Sequence, residues 1–163
     1  MVRALAVGAA LLPAMANAGP PFLTDDSEPT DTGHWEIFAP LLEVDGSGKD
    51  FEGTFGAEIN YGVMKNVQLT VGLSAAFKHD GSGSKWGVGD VEASVKYRFY
   101  NNEVSHLQIA AFPGVTLPTA SNAMGADHVT ALLPIWAPRN FGKWSVFGGG
   151  GYAVNPSTGN RNY

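Results

Sequence analysis

Residues 51–78 read FEGTFGAEINYGVMKNVQLTVGLSAAFK, and their apolar side chains recur at every second position. Odd positions are apolar or glycine across 51–63 and apolar across 67–77, while even positions are mostly polar or glycine. Side chains of a β-strand point alternately to opposite faces of a sheet. Each run therefore predicts a strand with one apolar and one polar face.

The short link at 64–66 decides how these two strands meet. A three-residue hairpin would set Val63 opposite Val67 and keep both apolar phases on one face of the sheet. Asn66 tolerates the left-handed backbone conformation that such a turn needs. The sequence therefore predicts an antiparallel hairpin here.

Five further strands extend this pattern along the chain. Residues 91–99 alternate as regularly as the first two runs. Four others alternate less regularly, at 34–44, 107–117, 129–137 and 144–154. Pro113 and Pro134 cannot donate a backbone hydrogen bond, which predicts bulges or an edge at those positions. The chain is predicted to be all-β, with about seven antiparallel strands.

Short and long connections alternate between the predicted strands. Short links at 64–66, 101–105 and 138–142 alternate with longer, polar, glycine-rich stretches at 45–50, 79–90 and 118–127. Outer-membrane barrels combine tight periplasmic turns with longer extracellular loops in this way. The clearest strands also exceed the ~5–6 residues usual in globular proteins and reach the ~9–11 that cross a bilayer. An up-and-down transmembrane β-barrel is the predicted architecture.

Composition excludes several other classes of protein. The 163 residues include no cysteine, which removes disulfide scaffolds, cysteine-bound zinc, iron–sulfur clusters and thiol catalysis. A net charge of −5 with no basic run is a poor basis for nucleic-acid binding. Only 15% of the residues are charged, against about 25% in a usual soluble domain, and 21 are glycine. Such a balance suits β-structure whose outer side does not face water.

The N-terminus is predicted to direct export. Arg3 precedes an uncharged apolar run, and Ala16-Asn17-Ala18 forms a small-residue cleavage site, so residues 1–18 have the parts of a signal peptide cut after Ala18. Residues 19–33 are then an acidic periplasmic segment, and 34–163 carry the barrel strands. The predicted location is the outer membrane, reached with the help of the barrel-assembly machinery.

The two faces of the strands receive different roles in this prediction. With the apolar phase in lipid, polar side chains would face the lumen, where water or internal ion pairs could satisfy them. The predicted lumen-facing residues are Glu52, Glu58, Asn60, Gln68, Thr70, Ser74, Glu92, Ser94, Lys96, Arg98, Gln108 and Thr116. A periplasmic aromatic girdle is predicted from Tyr61, Tyr97, Phe99, Tyr100, Trp136, Phe141 and Trp144. A soluble barrel would invert the two faces, and alternation alone does not distinguish these cases.

No group of residues specifies catalysis, a metal or a cofactor. Residues 45–50 resemble the start of a calcium loop, but its twelfth position is Gly56 rather than glutamate. The four histidines lack the spacing of metal ligands. A Ser/His/Asp set can be drawn from Ser82, His79 and Asp127, without the nucleophile elbow that would support it. The prediction is a protein without enzymatic activity or cofactor.

Several stretches resemble one Gram-negative family. They are GPPFLTDD at 19–26, PTDTGHWE at 29–36, GDVE at 89–92, VKYRF at 95–99, FPGVTLPT at 112–119 and WSVFGGGGY at 144–152. The family comprises outer-membrane β-barrel transporters related to the meta-pathway of phenol degradation. The resemblance implies a membrane barrel that passes small hydrophobic or aromatic molecules. It brings no catalytic residues and no defined substrate.

Two other readings and one question of completeness stay open at this point. A secreted soluble β-sandwich acting as a binding or adhesion module would share the signal peptide and the alternating strands. An outer-membrane barrel enzyme would need a convergent polar triad. Barrels of single bacterial chains have an even number of strands, and family members run longer. Seven strands therefore lead us to expect the front portion of a larger barrel, with the bilayer and a small solute as partners.

Overall fold

The computed structural model describes residues 27–47, 49–121 and 124–156. These residues form one antiparallel sheet of nine strands and contain no helix that could cross a membrane. The strands are β1 (Trp35–Ser47), β2 (Asp50–Met64), β3 (Val67–Asp80), β4 (Gly83–Val88), β5 (Val91–Asn102), β6 (Leu107–Ala111), β7 (Gly114–Leu117), β8 (Thr130–Phe141) and β9 (Trp144–Val154). The all-β, antiparallel prediction is confirmed. The predicted signal peptide and Ala18 lie outside the described residues.

The nine strands follow an up-and-down path. Strands β4 and β5 both pair with β3, and strands β6 and β7 both pair with β5 and with β8. Each of these two pairs is one long strand with a break, so the path consists of the predicted number of passes. The break between β6 and β7 falls at Phe112 and Pro113, as expected from the missing proline donor. Within the described residues, β1 pairs only with β2 and β9 only with β8.

Two of the three predicted long loops are corrected by the structure. At 45–50 the strands continue until Ser47 pairs with Asp50. At 79–90 the chain turns between Asp80 and Gly83 and returns as β4, which the sequence pattern missed. Residues 45–50 have no apolar side chain, and in β4 only Trp86 and Val88 are apolar among glycine, serine and lysine, so alternation is too short there to indicate a strand. A hydrogen-bonded ladder needs only backbone groups, so it continues through such sequences.

For the first hairpin, the predicted turn conformation is confirmed and the predicted strand register is wrong. Asn66 has a φ of 66°, in the left-handed region as predicted. The register shifts after Gly62, so that Met64 rather than Val63 pairs with Val67. The extra residue on β2 is a β-bulge, which alternation in the sequence cannot reveal.

The two ends of the sheet differ. The turns at 65–66, 103–106 and 142–143 share one end, which we call the short-turn end. The links from β1 to β2, from β3 to β4 and from β7 to β8 share the other, the loop end.

Burial is inverted relative to a water-soluble sheet. On the apolar face Leu69 is 45% exposed and Leu73 is 47% exposed. On the opposite face, which we call the polar face, Asn60 is 0%, Gln68 1% and Lys96 2% exposed. Among the described residues no second sheet covers the apolar face. Among the described residues, the polar face therefore holds buried side chains while the apolar face stays exposed.

Candidate functional site on the polar face

The strand register arranges the polar face in rows, because cross-strand partners lie on one face of a sheet. The rows run across the strands. The lower row, nearest the short-turn end, is Gly62, Gln68 and Lys96; the middle row is Asn60, Thr70 and Ser94; the upper row is Glu58, Gly72, Glu92, Thr116 and Thr130. Residues far apart in the chain thus become neighbours on one surface.

A hydrogen-bonded cluster joins these rows. The Gln68 side-chain amide donates to Asn60 Oδ1 at 2.8 Å and to Thr70 Oγ1 at 3.0 Å. The Thr70 hydroxyl donates to the same Asn60 oxygen. Asn60 Nδ2 donates to the Glu58 carboxylate at 2.8 Å. Every member of this cluster has a partner, as buried polar side chains require.

Above the cluster lies a cavity of about 390 Å³. The carboxyl groups of Glu58 and Glu92 stand on either side of Gly72, whose missing side chain leaves room for Glu92. Hydroxyl groups of Thr116 and Thr130 complete the upper row. The cavity can accept a small solute and offers it acceptors and donors on one wall.

Two cations lie on the side of the short-turn end. Arg98 donates to Asn66 Oδ1 at 3.0 Å and to Gln108 Oε1 at 3.4 Å. Lys96 is buried, with its ammonium 5.6 Å from the centre of the Phe112 ring. A buried ammonium requires such partners because desolvation disfavours its charge.

The chain preceding β1 lies on the polar face. Within this N-terminal segment, residues 27–33, the backbone N–H of Thr30 donates to Gln68 Oε1 at 2.8 Å. The Thr30 hydroxyl donates to the Glu36 carboxylate at 2.8 Å. The backbone carbonyl of Glu28 accepts from Lys96 Nζ at 3.0 Å. The sequence led us to expect a periplasmic segment here and did not anticipate this contact with the strands.

Gly62 makes that contact possible. A Cβ on Gly62 would lie 2.1 Å from the backbone oxygen of Asp31 and 2.5 Å from that of Thr30. Such distances are far below contact, so any other residue would displace the segment. The Gly62 backbone also accepts from Gly33 N at 2.7 Å and donates to His34 O at 3.1 Å. Glycine here serves close backbone approach.

At the loop end, Asp90 holds the long connection. One of its carboxylate oxygens accepts from Ala120 N at 2.9 Å and the other from Ala126 N at 2.6 Å. The backbone N–H of Ser121 also donates to Val88 O at 2.9 Å. The connection is thus fastened to the break between β4 and β5.

Asp90→Ala is expected to loosen this connection without unfolding the sheet. The variant loses two charge-assisted hydrogen bonds, so local opening should become easier by about 2–4 kcal/mol. Amide hydrogen exchange at Ala120 and Ala126 measures the change, with Asp127→Ala, an exposed residue of the same connection, as control. Equal exchange in both variants would contradict the role assigned to Asp90.

The rim of the loop end is polar and charged. Lys78 Nζ and the Glu52 carboxylate form an exposed ion pair at 3.0 Å. In the turn after β3, the hydroxyl and the backbone N–H of Ser82 donate to Asp80, and these hydrogen bonds hold the pKa of the Asp80 carboxyl below its ordinary value.

The twelve polar residues predicted to face the lumen lie on the polar face by register. The structure joins Glu58, Asn60, Gln68 and Thr70 directly, and joins Arg98 to Gln108. Ser74 instead contacts the backbone of Asp90, and Glu52 contacts Lys78. Sequence reasoning missed Thr30, Glu36 and Asp90, whose signal was only their polarity.

The aromatic prediction needs one correction. Trp35 lies against Tyr61, with 4.5 Å between ring centres, and Tyr97 lies 6.2 Å from Phe99. Tyr100, Phe141 and Trp144 are exposed. Trp136 instead pairs with Ala110, which pairs with Arg98, so it belongs to the polar face. Trp136 shares its phase on β8 with Thr130, the partner of Thr116 on the polar face, and the sequence at 129–137 is apolar on both phases, so alternation does not reveal this.

The candidate Ser/His/Asp set does not assemble as drawn. His79 Nδ1 lies 2.8 Å from Ser84 Oγ, and the Ser82 hydroxyl contacts Asp80. Across 27–47, 49–121 and 124–156, no three His, Asp or Glu side chains are grouped as metal ligands.

Comparison with known proteins returned no matching family model, curated protein or solved structure.

Proposed function

We propose that these strands form the wall of an outer-membrane β-barrel that lets small molecules cross the membrane. One observation carries the proposal, the inverted burial of the sheet. Apolar side chains such as Leu73 and Ile135 stay about half exposed, whereas Asn60 and Gln68 are buried. Lipid cannot satisfy polar groups but accepts apolar ones, so this arrangement suits a wall with lipid outside and polar groups inside.

The alternative, a soluble β-sandwich that binds or adheres, requires the opposite burial. A sandwich packs the apolar faces of two sheets against each other. The described residues form one sheet, and its apolar face has no such cover. The observation therefore favours the membrane barrel.

Fractionation of the exported protein tests the proposal. We expect it in the outer membrane, with migration on a denaturing gel that changes when the sample is boiled, because intact barrels resist detergent at room temperature. A soluble, detergent-free monomer in the periplasm would reject the membrane barrel and favour the sandwich.

The solute proposed is a small hydrophobic or aromatic molecule, a class that rests on the family resemblance. Uptake of phenol and toluene by cells with and without the protein tests it. Faster entry of both is expected. Entry rates independent of the protein would remove this class of solute without affecting the location.

A further inference from the structure

The polar face contacts a segment of its own chain along the lower row of residues. We infer that the N-terminal segment, residues 27–33, is a plug that closes the short-turn end of the proposed channel. The inference rests on the proposed function, since a plug presupposes a lumen.

The direction of the segment supports a plug. Glu28 contacts Lys96, Thr30 contacts Gln68, and the backbone of Asp31 lies over Gly62. These three wall residues are the lower row, on β5, β3 and β2 in turn. The segment therefore runs across the strands rather than along them. With neighbouring strands ~4.8 Å apart, it covers roughly 10 Å of the wall.

The level of the segment supports it as well. The lower row lies beside the turn that joins β2 to β3, at the short-turn end. The cavity begins at the middle row, directly above, and Lys96 lines it. The segment thus forms a floor of the cavity.

The bonds that hold the segment can be released. Ser27, Pro29 and Thr30 are buried, but the Glu28 side chain is 72% exposed. Its carboxylate lies 3.7 Å from the Arg98 guanidinium, an exposed pair that salt screens. The segment lies outside the strands and is joined to β2 by a single β-bridge between Thr32 and Gly62, so it can leave the wall without breaking the strand ladders. Gly33, with a φ of +80°, lies between it and β1 and allows a change of direction.

Two variants release the plug from opposite sides. Thr30→Pro removes the N–H that Gln68 binds, and Gly62→Ala places a Cβ where the segment lies. Permeation of arabinose into liposomes carrying the full chain is expected to rise at least roughly tenfold. Thr30→Pro also removes the hydroxyl that contacts Glu36 and Gln68, and the Cβ in Gly62→Ala clashes with the backbone of the segment. Gly148→Ala, where a Cβ meets open space, should leave permeation unchanged.

A locked form tests the opposite direction. The chain has no cysteine, so in Thr30→Cys/Gln68→Cys only the introduced thiols react with a short bis-thiosulfonate crosslinker. Crosslinking is expected to lower permeation of arabinose, and a reductant should restore it. The same double variant without crosslinker is the reference, so the loss of the Gln68 hydrogen bonds affects both samples equally.

The outcomes separate the plug from the channel. Boiling-dependent migration of the same samples reports membrane integration. Wild-type protein that integrates, with permeation unaffected by release and by locking, overturns the plug and leaves the channel standing. Wild-type protein that does not integrate overturns both.

Discussion

Leu73→Arg is expected to lower the free energy of unfolding from lipid by about 2–4 kcal/mol. Leu73 lies in the middle of β3, on the apolar face, and is 47% exposed. In a membrane this side chain meets hydrocarbon near the bilayer centre, where arginine is costly. Urea unfolding in phospholipid vesicles measures the loss. In a soluble protein the same exposed position would accept arginine at little cost.

Val104→Arg is the matched control for this variant. Val104 is exposed in the turn between β5 and β6, beyond the strands. We expect its unfolding free energy to stay near that of the wild type, because a turn at the membrane surface meets water. Similar small losses for both variants would count against lipid contact on the apolar face.

Gln68→Leu is expected to destabilise the protein by about 2–4 kcal/mol. Gln68 donates to Asn60 and Thr70 and accepts from Thr30. The variant leaves the Thr30 N–H without its acceptor and removes one hydrogen bond to Asn60. Each buried polar group left without a partner costs ~1–3 kcal/mol. The equilibrium unfolding curve gives the loss directly.

Thr116→Val is the control for the loss of a polar group on the same face. Thr116 lines the cavity, and its hydroxyl has no hydrogen-bond partner within the described part of the chain. We expect a change within about 0.5 kcal/mol. Equal losses for Gln68→Leu and Thr116→Val would mean that general polarity, rather than the cluster, stabilises this face.

Much of the fold was predictable from local patterns. Alternation of apolar and polar residues predicts strands β2, β3 and β5. The residue type of Asn66 predicts the left-handed conformation in the turn between β2 and β3. The break between β6 and β7 follows from Pro113, which has no N–H to donate to the ladder. These features depend on residues close in the chain, and alternation reports them directly.

The strand register and the contacts of the candidate site could not be predicted from the sequence to the same extent. The bulge after Gly62 changes the phase of the residues that follow, which moves Val63 out of its predicted pair. Trp136 lies on the polar face because it shares the phase of Thr130 on β8, a strand whose sequence is apolar on both phases. Strand β4 could not be predicted because it is short and only Trp86 and Val88 are apolar among its glycine, serine and lysine residues. No local pattern marks Thr30 as a partner of Gln68, which follows it by 38 positions.

The sequence by itself determined two faces of different polarity and the path of strands that carry them. It could not determine which face lies inside, because an alternating strand satisfies a lipid-facing and a water-facing wall equally well. Only the tertiary structure shows which face holds buried side chains: the strand register brings Asn60, Gln68 and Lys96 together, and the N-terminal segment covers them. The physical reason is that buried polar groups need partners, and only the folded chain brings Thr30 and Glu28 to these side chains.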